Sequence, residues 1–228
     1  MVKRLFDIVA SLLGLLLLSP LLVGAAIGIR LTSPGPVFYR ARRTGRCGHE
    51  FVMHKFRTMR LASGSSSLIT AATDPRVFPL GYLLRLLKID ELPQLYDVLT
   101  GKMSVVGPRP EDPRIVDRYY GPLGRETLNV VPGLVSYGSL YNYTHGQRHL
   151  NDSDPETSYV RELLPLKLAL ELVYVRNHSL PGDLTIIVNT FVTILLISLG
   201  KRNFSEPSEI IKAREILDSD RGLVVVAG

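Results

Sequence analysis

An apolar run near the amino terminus is the feature that most restricts how this chain can fold. It extends from Leu5 to Ile29 and reads LFDIVASLLGLLLLSPLLVGAAIGI. A helix of that length could cross a bilayer, but Ser19-Pro20 interrupts it, because proline lacks a backbone donor and disfavours helix at the residue before it. At about 1.5 Å per residue, Leu5–Leu18 would extend about 21 Å and Leu21–Ile29 about 14 Å. Neither half alone spans a hydrocarbon core of about 30 Å.

Three structures are compatible with this run. Lys3 and Arg4 suit a cleaved signal peptide, but the run is longer than the usual apolar region of about 7–15 residues. A spanning helix kinked at Pro20 would place the basic residues before and after the run on opposite faces, whereas positive charge tends to stay on the cytoplasmic side. A re-entrant helical hairpin keeps both flanks on that side. In it, the Ser19 hydroxyl can bond a carbonyl that the proline leaves free, and Lys3 can meet Asp7 one turn later at the interface.

Positive charge is unevenly distributed along the chain. Lysine and arginine number 27 against 21 acids, for a net charge of +6, and residues 30–60 hold eight of the basic residues against one acid, Glu50. Such a block is either a solvated surface or a site for nucleic acid, anionic lipid or a phosphorylated substrate. Nucleic acid is not expected, because there is no tryptophan or recognised binding motif and the apolar run would tether the chain to a bilayer. With Cys47 as the one cysteine, an intrachain disulfide is excluded.

The middle of the chain predicts an α/β fold in which helices surround a small β-sheet or hairpin. Ser33-Pro34-Gly35-Pro36 is a strong turn signal. The β-branched and aromatic residues of Val37–Arg40 and Glu50–Phe56 predict the two strands of a hairpin. The range 61–77 is rich in small and polar residues and predicts a loop.

Periodicity and helix-end signals predict the remaining elements. They are a helix over Phe78–Lys88, a helix over Glu91–Leu99 with Asp90 as N-cap and Pro93 in its first turn, a short buried strand in KMSVVGPRP, a strand pair in NVVPGLVSYGSLY, and an amphipathic helix over Leu163–Val175. Leu184–Leu199 is apolar and predicts either a core helix or an interfacial helix on the membrane surface. The tail after Gly200 is charged and is expected to be peripheral.

The stretch KIDELPQL sets two acids, Asp90 and Glu91, side by side in a basic protein. Acids at a helix start are commonly structural, because they favour its positive end by about 0.3–1 kcal/mol. Arg85 upstream and Arg109 in GPRP could instead supply fork-shaped donors for phosphate oxygens. Carboxylates, arginines and Mg²⁺ together suggest phosphoryl transfer, with Asp90 as the nucleophile and the metal offsetting the repulsion between carboxylate and phosphate.

Several motifs resemble the bacterial sugar transferases, specifically the small monotopic phosphoglycosyl transferases. In the order of that family they are KRLFDI with the SP break, SPGPVFYR, KFRTMR, TDPRV, LLRLLKIDELPQL, GKMSVVGPRP and RNHSLPGDLTII. They extend from Lys3 to about Leu199, and KFRTM, DELPQL and GPRP together are highly specific.

The resemblance implies an enzyme that moves a sugar-1-phosphate from a UDP-sugar to polyprenyl phosphate and releases UMP, through a covalent phosphosugar on the aspartate and with Mg²⁺. Asp90 then is the nucleophile, and Glu91 is its partner, acting on the metal or on the acceptor phosphate. Arg85 and Arg109 match phosphate-handling arginines. Lys55 and Arg57, from KFRTM, complete the candidates for phosphate binding. The alternative is a non-catalytic membrane-surface module that holds anionic lipid or a partner protein.

The resemblance also implies a location and a domain organisation. Residues 1–30 form a re-entrant membrane hairpin broken at Ser19-Pro20, residues 31–200 a cytoplasmic catalytic domain, and residues 201–228 a peripheral tail, at the cytoplasmic face of the bacterial inner membrane. Two departures concern substrate recognition: Val131 replaces the arginine of a proline-glycine motif, and Glu171 stands where the family commonly has aspartate. The sugar, the pathway and the oligomeric state do not follow from the sequence.

Overall fold

The computed structural model describes residues 2–61, 74–146, 155–219 and 222–225. It has a mixed α/β architecture in which helices surround two small sheets of two strands each, so the predicted fold class is confirmed at that level. Most of the loop predicted for 61–77 lies outside the described residues.

The helices, in chain order, are α1 (Val2–Leu17), α2 (Ser19–Thr32), α3 (Pro79–Leu86), α4 (Gln94–Leu99), α5 (Pro113–Tyr119), α6 (Pro122–Arg125), α7 (Tyr137–Thr144), α8 (Pro155–Ser158), α9 (Leu164–Asn177), α10 (Leu180–Ser198) and α11 (Glu209–Ser219). The strands are β1 (Phe38–Thr44), β2 (Glu50–Phe56), β3 (Ser104–Val106) and β4 (Gly133–Val135).

The apolar run forms two helices that meet at a sharp bend. The axes of α1 and α2 differ by 60° across the break, and Pro20 lies in the first turn of α2. Pro20 has no N–H to offer the carbonyl of Leu16 four residues earlier, and the Ser19 hydroxyl donates to that carbonyl instead, at 2.8 Å. This confirms the predicted break and the predicted part of Ser19 in it.

Both outer ends of the bent pair pack on the rest of the protein. Near the start of α1, the Arg4 guanidinium donates to the carbonyls that end α4, and the buried Asp7 carboxylate accepts from the Ser104 hydroxyl and a backbone N–H of β3. Near the end of α2, Ile29 is fully buried in a cluster with side chains of β2 and α3. The expected pair of Lys3 with Asp7 is wrong, because Asp7 turns inward to β3 and Lys3 pairs with Asp183 at 2.6 Å.

The predicted hairpin is confirmed, with a longer first strand than expected. Strands β1 and β2 are antiparallel, and their register pairs Phe38 with Phe56 and Thr44 with Glu50. The second sheet differs from the prediction. Strand β4 pairs in parallel with β3, and the predicted second strand of that segment is helix α7. The helix begins there because the Ser136 hydroxyl caps it by accepting from the N–H of Ser139.

Helix α9 lies at the centre of the largest core cluster. The expectation of an amphipathic helix is wrong here, since every residue from Lys167 to Tyr174 is buried. Helix α11 packs on α9 and buries Ile210 and Ala213. Over residues 209–219 the C-terminal tail is therefore part of the core packing and is not peripheral.

Helix α10 is long and apolar enough to cross a membrane, and in the described part of the chain it is the single helix that passes this test by itself. One side of it, which includes Ile186 and Thr190, is buried against the protein. Its other side is exposed and apolar. Its exposed large apolar side chains are Leu180, Leu184, Val188, Phe191, Val192 and Leu195.

Candidate active site

The two neighbouring acids lie in a single turn of 3₁₀ helix, Ile89–Glu91, between α3 and α4. Lys88 leads into the turn with left-handed backbone angles, φ 56° and ψ 19°, so the chain changes direction after α3. Pro93 is the N-cap residue of α4, and the predicted N-cap position of Asp90 is therefore wrong. With three residues per turn, neighbouring side chains in a 3₁₀ helix project about 120° apart, so the two carboxylates meet different surroundings.

Side chains from three other segments hold the Glu91 carboxylate. The Arg109 guanidinium forms a bidentate pair with it, with Nη1 2.8 Å from Oε2 and Nη2 2.6 Å from Oε1. The Lys55 ammonium of β2 donates to Oε1 at 3.3 Å, and the Tyr143 hydroxyl of α7 donates to Oε2 at 3.4 Å. Both oxygens of Glu91 are therefore committed to donors of the protein.

The backbone around Arg109 explains how that fork is aimed. Arg109 lies between two prolines, three residues after the end of β3. Its Nη1 also donates to the carbonyl of Leu134 in β4. The two strands approach so closely that a Cβ on Gly133 would lie 2.0 Å from the backbone nitrogen of Gly107. Glycine at this crossing lets the parallel pair form, and the pair places the guanidinium against Glu91.

Asp90 has no comparable partners. Its side chain is largely buried, and Oδ1 makes no hydrogen bond with any residue that the structure describes. Burial raises the pKa of Asp90, and the charge of Glu91 raises that pKa further. For Glu91, burial acts in the same direction, but the charges of Arg109 and Lys55 outweigh it and hold the pKa of Glu91 well below its usual value. The two environments therefore shift the pKa values of the two carboxyl groups in opposite directions. Such a difference in pKa is what gives paired acids different chemical roles.

Two more cations lie near the acid pair. The Arg85 guanidinium donates through Nε to the Thr58 hydroxyl at 2.8 Å, and the Lys88 ammonium lies 3.8 Å from the centre of the Tyr143 ring. Neither makes an ion pair with a carboxylate within the described ranges. Burial lowers the pKa of Lys88, against the opposing charges of Glu91 and Asp90. Burial likewise lowers the pKa of Lys55, to about 8.

The balance of charge favours an anionic ligand. Four cations surround two carboxylates, so the site carries a surplus of about two positive charges when all are ionised, which suits a diphosphate. These residues are Lys55, Arg85, Lys88 and Arg109 around Asp90 and Glu91.

Arg57, in contrast, is directed away from the acid pair. Its guanidinium is buried and donates to the carbonyls of Ser33, Pro34 and Pro36 and to the Ser33 hydroxyl. These contacts lock the turn that leads into β1. Arg57 therefore has a structural part here, and phosphate binding by Arg57 stays a prediction.

Sequence reasoning brought together Asp90, Glu91, Arg85, Arg109 and Lys55, but it missed Lys88 and Tyr143. Lys88 stands two residues before Asp90, and its proximity was a usable signal. Tyr143 is 52 residues from Glu91 in the chain and lies two residues beyond the segment predicted as a strand pair. Nothing local to Tyr143 marked it as a site residue.

The residues present fit a magnesium ion shared with a substrate. In the described part of the chain, no group of three or more His, Cys, Asp or Glu could hold a metal ion. Magnesium, however, is commonly bound by one or two carboxylates together with substrate phosphates and water. The buried Oδ1 of Asp90 is available for this purpose, whereas Glu91 is engaged by Arg109 and Lys55.

Fold and site together define a class: an α/β protein with a broken apolar helix pair and a buried acid pair set among cations, suited to phosphate chemistry. The chain belongs to the family described as bacterial sugar transferase, whose sequence profile matches residues 1–196.

Curated relatives carry names that specify the substrates of those proteins. The chain is 36% identical over 197 residues to the UDP-glucose:undecaprenyl-phosphate glucose-1-phosphate transferase of Xanthomonas campestris pv. campestris, with 85% of this chain and 38% of that protein aligned. A protein of the same name from Caulobacter vibrioides is 35% identical over 196 residues, which cover 85% of this chain and 69% of the relative. The exopolysaccharide production protein PSS of Rhizobium leguminosarum bv. phaseoli is 36% identical over 204 residues, with 85% and 94% aligned. The chain thus spans well under half of the Xanthomonas protein and nearly all of the Rhizobium one.

Proposed function

We propose that this chain transfers a sugar-1-phosphate from a UDP-sugar to polyprenyl phosphate, giving a polyprenyl-diphosphate-sugar and UMP. This is the first membrane step in assembling a polysaccharide or another glycan. The observation that carries the proposal is the asymmetry of the acid pair: Glu91 is clasped by Arg109, Lys55 and Tyr143, whereas Asp90 Oδ1 is buried without a partner among the described residues. The names of the relatives supply the substrate classes.

The chemistry proceeds in two displacements. An Asp90 carboxylate oxygen attacks the phosphorus that bears the sugar, the bond from that phosphorus to the UMP oxygen breaks, and UMP leaves with the electron pair. An oxygen of polyprenyl phosphate then attacks the same phosphorus, and the bond to Asp90 breaks to regenerate the carboxylate. A nucleophile needs lone pairs that are not held by donors, and Asp90 meets this condition better than Glu91.

The cations around the pair have separate tasks in this scheme. Arg85 and Lys88, which make no ion pair with a described carboxylate, bind phosphate oxygens of the donor and stabilise the charge that develops on leaving UMP. Arg109 and Lys55 keep Glu91 ionised and in place beside the reacting phosphorus. When bound at Asp90 and the diphosphate, Mg²⁺ would offset the repulsion between carboxylate and phosphate.

The same proposal assigns the chain to the cytoplasmic face of the bacterial inner membrane, with α1 and α2 as a re-entrant hairpin. Several features support this assignment. Both outer ends of the pair pack on the protein while its bend exposes leucines such as Leu16 and Leu17, and α10 presents an exposed apolar side. Helix α3 contacts both α2 and α10 and exposes Tyr82 and Leu83 just before the acid turn. A lipid-linked acceptor phosphate at the membrane surface would thus lie near Asp90.

The test is turnover by the full chain in detergent or nanodiscs with undecaprenyl phosphate, Mg²⁺ and a panel of UDP-sugars. We expect UMP release with at least one UDP-sugar, and a phosphosugar adduct on the peptide that contains Asp90 when the acceptor is omitted. Asp90→Asn should lower the rate by about a thousandfold or more, as losses of a covalent nucleophile do. The exposed Asp117 of α5 provides the matched control, and Asp117→Asn should keep the wild-type rate.

Each failure has its own meaning. No UMP with any sugar in the panel would favour the non-catalytic membrane-surface module. UMP release without an adduct, together with normal turnover by Asp90→Asn, would remove Asp90 as the nucleophile while leaving the transferase.

A further inference from the structure

Glu171 of α9 is a buried carboxylate that takes no part in the two displacements. It is 2% exposed. Its Oε1 accepts from the backbone N–H of Arg109 at 3.2 Å and from the Ser136 hydroxyl at 2.7 Å, and its Oε2 is buried with no partner in the described part of the chain. Burying a carboxylate in this way costs free energy of folding. Its presence therefore suggests that Glu171 holds neighbouring segments in place.

The two segments that Glu171 joins both deliver a donor to Glu91. One is the loop after β3, which carries Arg109. The other is α7, whose N-cap is Ser136 and whose last turn carries Tyr143. The first turn of α7 lies directly against α9, since a Cβ on Gly138 would come within 2.5 Å of Glu171 Oε1. One carboxylate thus sets the separation of the two segments that clasp Glu91.

A second side chain on the same face of α9 strengthens this attachment. Lys167, four residues before Glu171, donates to Glu111 Oε2 at 2.7 Å and to the Tyr159 hydroxyl at 2.7 Å. Glu111 follows Arg109 by two residues. Helix α9 therefore holds the Arg109 loop at two points, once through a backbone N–H and once through a side chain, and leaves it little freedom to shift.

We propose that Glu171 is the positioning residue for the acid pair: by joining the Arg109 loop to the start of α7, it keeps the guanidinium and the Tyr143 hydroxyl on Glu91 and so leaves Asp90 as the free carboxylate. The part of this inference that concerns rate rests on the proposed function. The part that concerns coupling between Glu171 and Glu91 does not.

The charge of Glu171 gives this role a pH dependence. Burial raises the pKa of Glu171 to about 7, against the Ser136 hydroxyl and the charges of Lys167 and Arg109. Among the described residues, Tyr120 and Tyr174 also interact electrostatically with it. Below pH 7 the group is mostly a neutral acid, and above pH 7 it is mostly a carboxylate, which accepts hydrogen bonds about twice as strongly. The hydrogen bond from the Arg109 backbone N–H to Glu171 should therefore strengthen as the pH rises through 7.

The first experiment needs no substrate. Thermal unfolding is measured for Glu171→Gln, Glu91→Gln and the double variant of the full chain. These two residues share no hydrogen bond, yet we expect the melting shift of the double variant to differ from the sum of the single shifts by about 2 °C or more, the size that corresponds to coupled sites in a chain of this length. Glu126→Gln, which removes an exposed acid paired with Arg176, should combine additively with Glu91→Gln.

The second experiment measures kcat at pH 6 and pH 8.5. Glutamine keeps the size and an acceptor oxygen but is always neutral, so Glu171→Gln should match the wild type at pH 6 and be about fivefold slower at pH 8.5. Glu126→Gln should match the wild type at both values. If Glu171→Gln does not fold, Ser136→Ala replaces it in the melting comparison with Glu91→Gln, because it removes the hydroxyl that donates to Glu171 Oε1.

The outcomes separate the two proposals. Additive melting shifts, or a constant ratio of wild-type to Glu171→Gln rates across pH, would overturn the positioning role. An inactive wild type with coupled melting shifts would overturn the proposed function and keep the role of Glu171 toward Glu91.

Discussion

At the scale of single residues, the site depends on what surrounds each carboxylate rather than on the acids themselves. Asp90 and Glu91 are neighbours, but Arg109 and Lys55 hold one of them while the other keeps an unpartnered oxygen among the described residues. Lys88 is part of this arrangement. It adopts a left-handed backbone, which costs a residue with a side chain about 1 kcal/mol or more, and such strain is concentrated at functional sites.

We predict that Lys88→Gly separates backbone strain from charge. Glycine adopts the left-handed conformation without a steric penalty, so the variant should unfold at the same temperature as the wild type or higher. The loss of the ammonium near the acid pair should nevertheless raise the KM for the UDP-sugar about tenfold, because a charged contact to phosphate disappears. Differential scanning fluorimetry and initial rates of UMP release measure the two effects.

Cys47 offers a matched control, since it and Lys88 are the two non-glycine residues with positive φ in the described ranges. Cys47→Gly relieves the same kind of strain in the exposed loop between β1 and β2, and it should leave kinetics unchanged. An unaltered KM in Lys88→Gly would contradict the phosphate-binding role.

At the scale of elements, the apolar segment is shaped by two residues. Pro20 removes the donor that the Leu16 carbonyl needs, the Ser19 hydroxyl replaces it, and the segment bends by 60°. Helices of 16 and 14 residues extend about 24 Å and 21 Å, which is less than the roughly 30 Å of a hydrocarbon core. Neither helix alone would cross that core, and the bent pair is either a broken span or the re-entrant hairpin that we propose.

We predict that residues 2 and 47 lie on the same face of the membrane. Cys47 is exposed and serves as a natural label, and Val2→Cys adds a second. A membrane-impermeant maleimide should modify both in inverted vesicles and neither in intact spheroplasts. Labelling of the two positions from opposite faces would mean a spanning helix.

The Ser19→Ala, Pro20→Ala double variant tests whether these two residues cause the bend. A continuous helix over residues 2–32 would extend about 46 Å, enough to span. The share of molecules with residue 2 on the far side should therefore rise, whereas Thr32→Ala, at the end of α2, should leave the labelling as in the wild type.

At the scale of the whole molecule, α9 connects the parts. It lies at the centre of the main core, and its Glu171 and Lys167 side chains bond the loop that contains Arg109. Helix α11 of the C-terminal tail packs against it. The exposed apolar surface belongs to α1, α2 and α10, none of which contributes to the cluster around α9. The largest core cluster and the proposed membrane contact therefore use different elements.

We predict that the tail contributes to stability through α11. Ile210→Ala should lower the free energy of unfolding by about 3 kcal/mol, since the side chain is 3% exposed in the core and its removal leaves a cavity. Ile211→Ala, at the next position but 64% exposed, should change it by about 0.5 kcal/mol or less. Chemical unfolding in nanodiscs compares them, and equal effects would mean that α11 does not pack on α9 in solution.

The sequence by itself determined the features that depend on a few neighbouring residues. The helix break follows from Ser19-Pro20, the hairpin from its turn and strand residues, and the acid pair with Arg85 from one short segment. Each is set by backbone sterics or by side chains within about a turn or two, so local patterns were sufficient.

Only the tertiary structure decided which carboxylate is free. The donors that clasp Glu91 come from 18, 36 and 52 positions away, and Glu171, which orders two of them, lies on a helix predicted to be amphipathic. Hydrogen bonds and desolvation depend on distances through space, and no periodicity in the chain encodes those distances. For the same reason, the local sequence predicted a strand where α7 forms. It also did not show that the Arg57 guanidinium bonds the turn before β1.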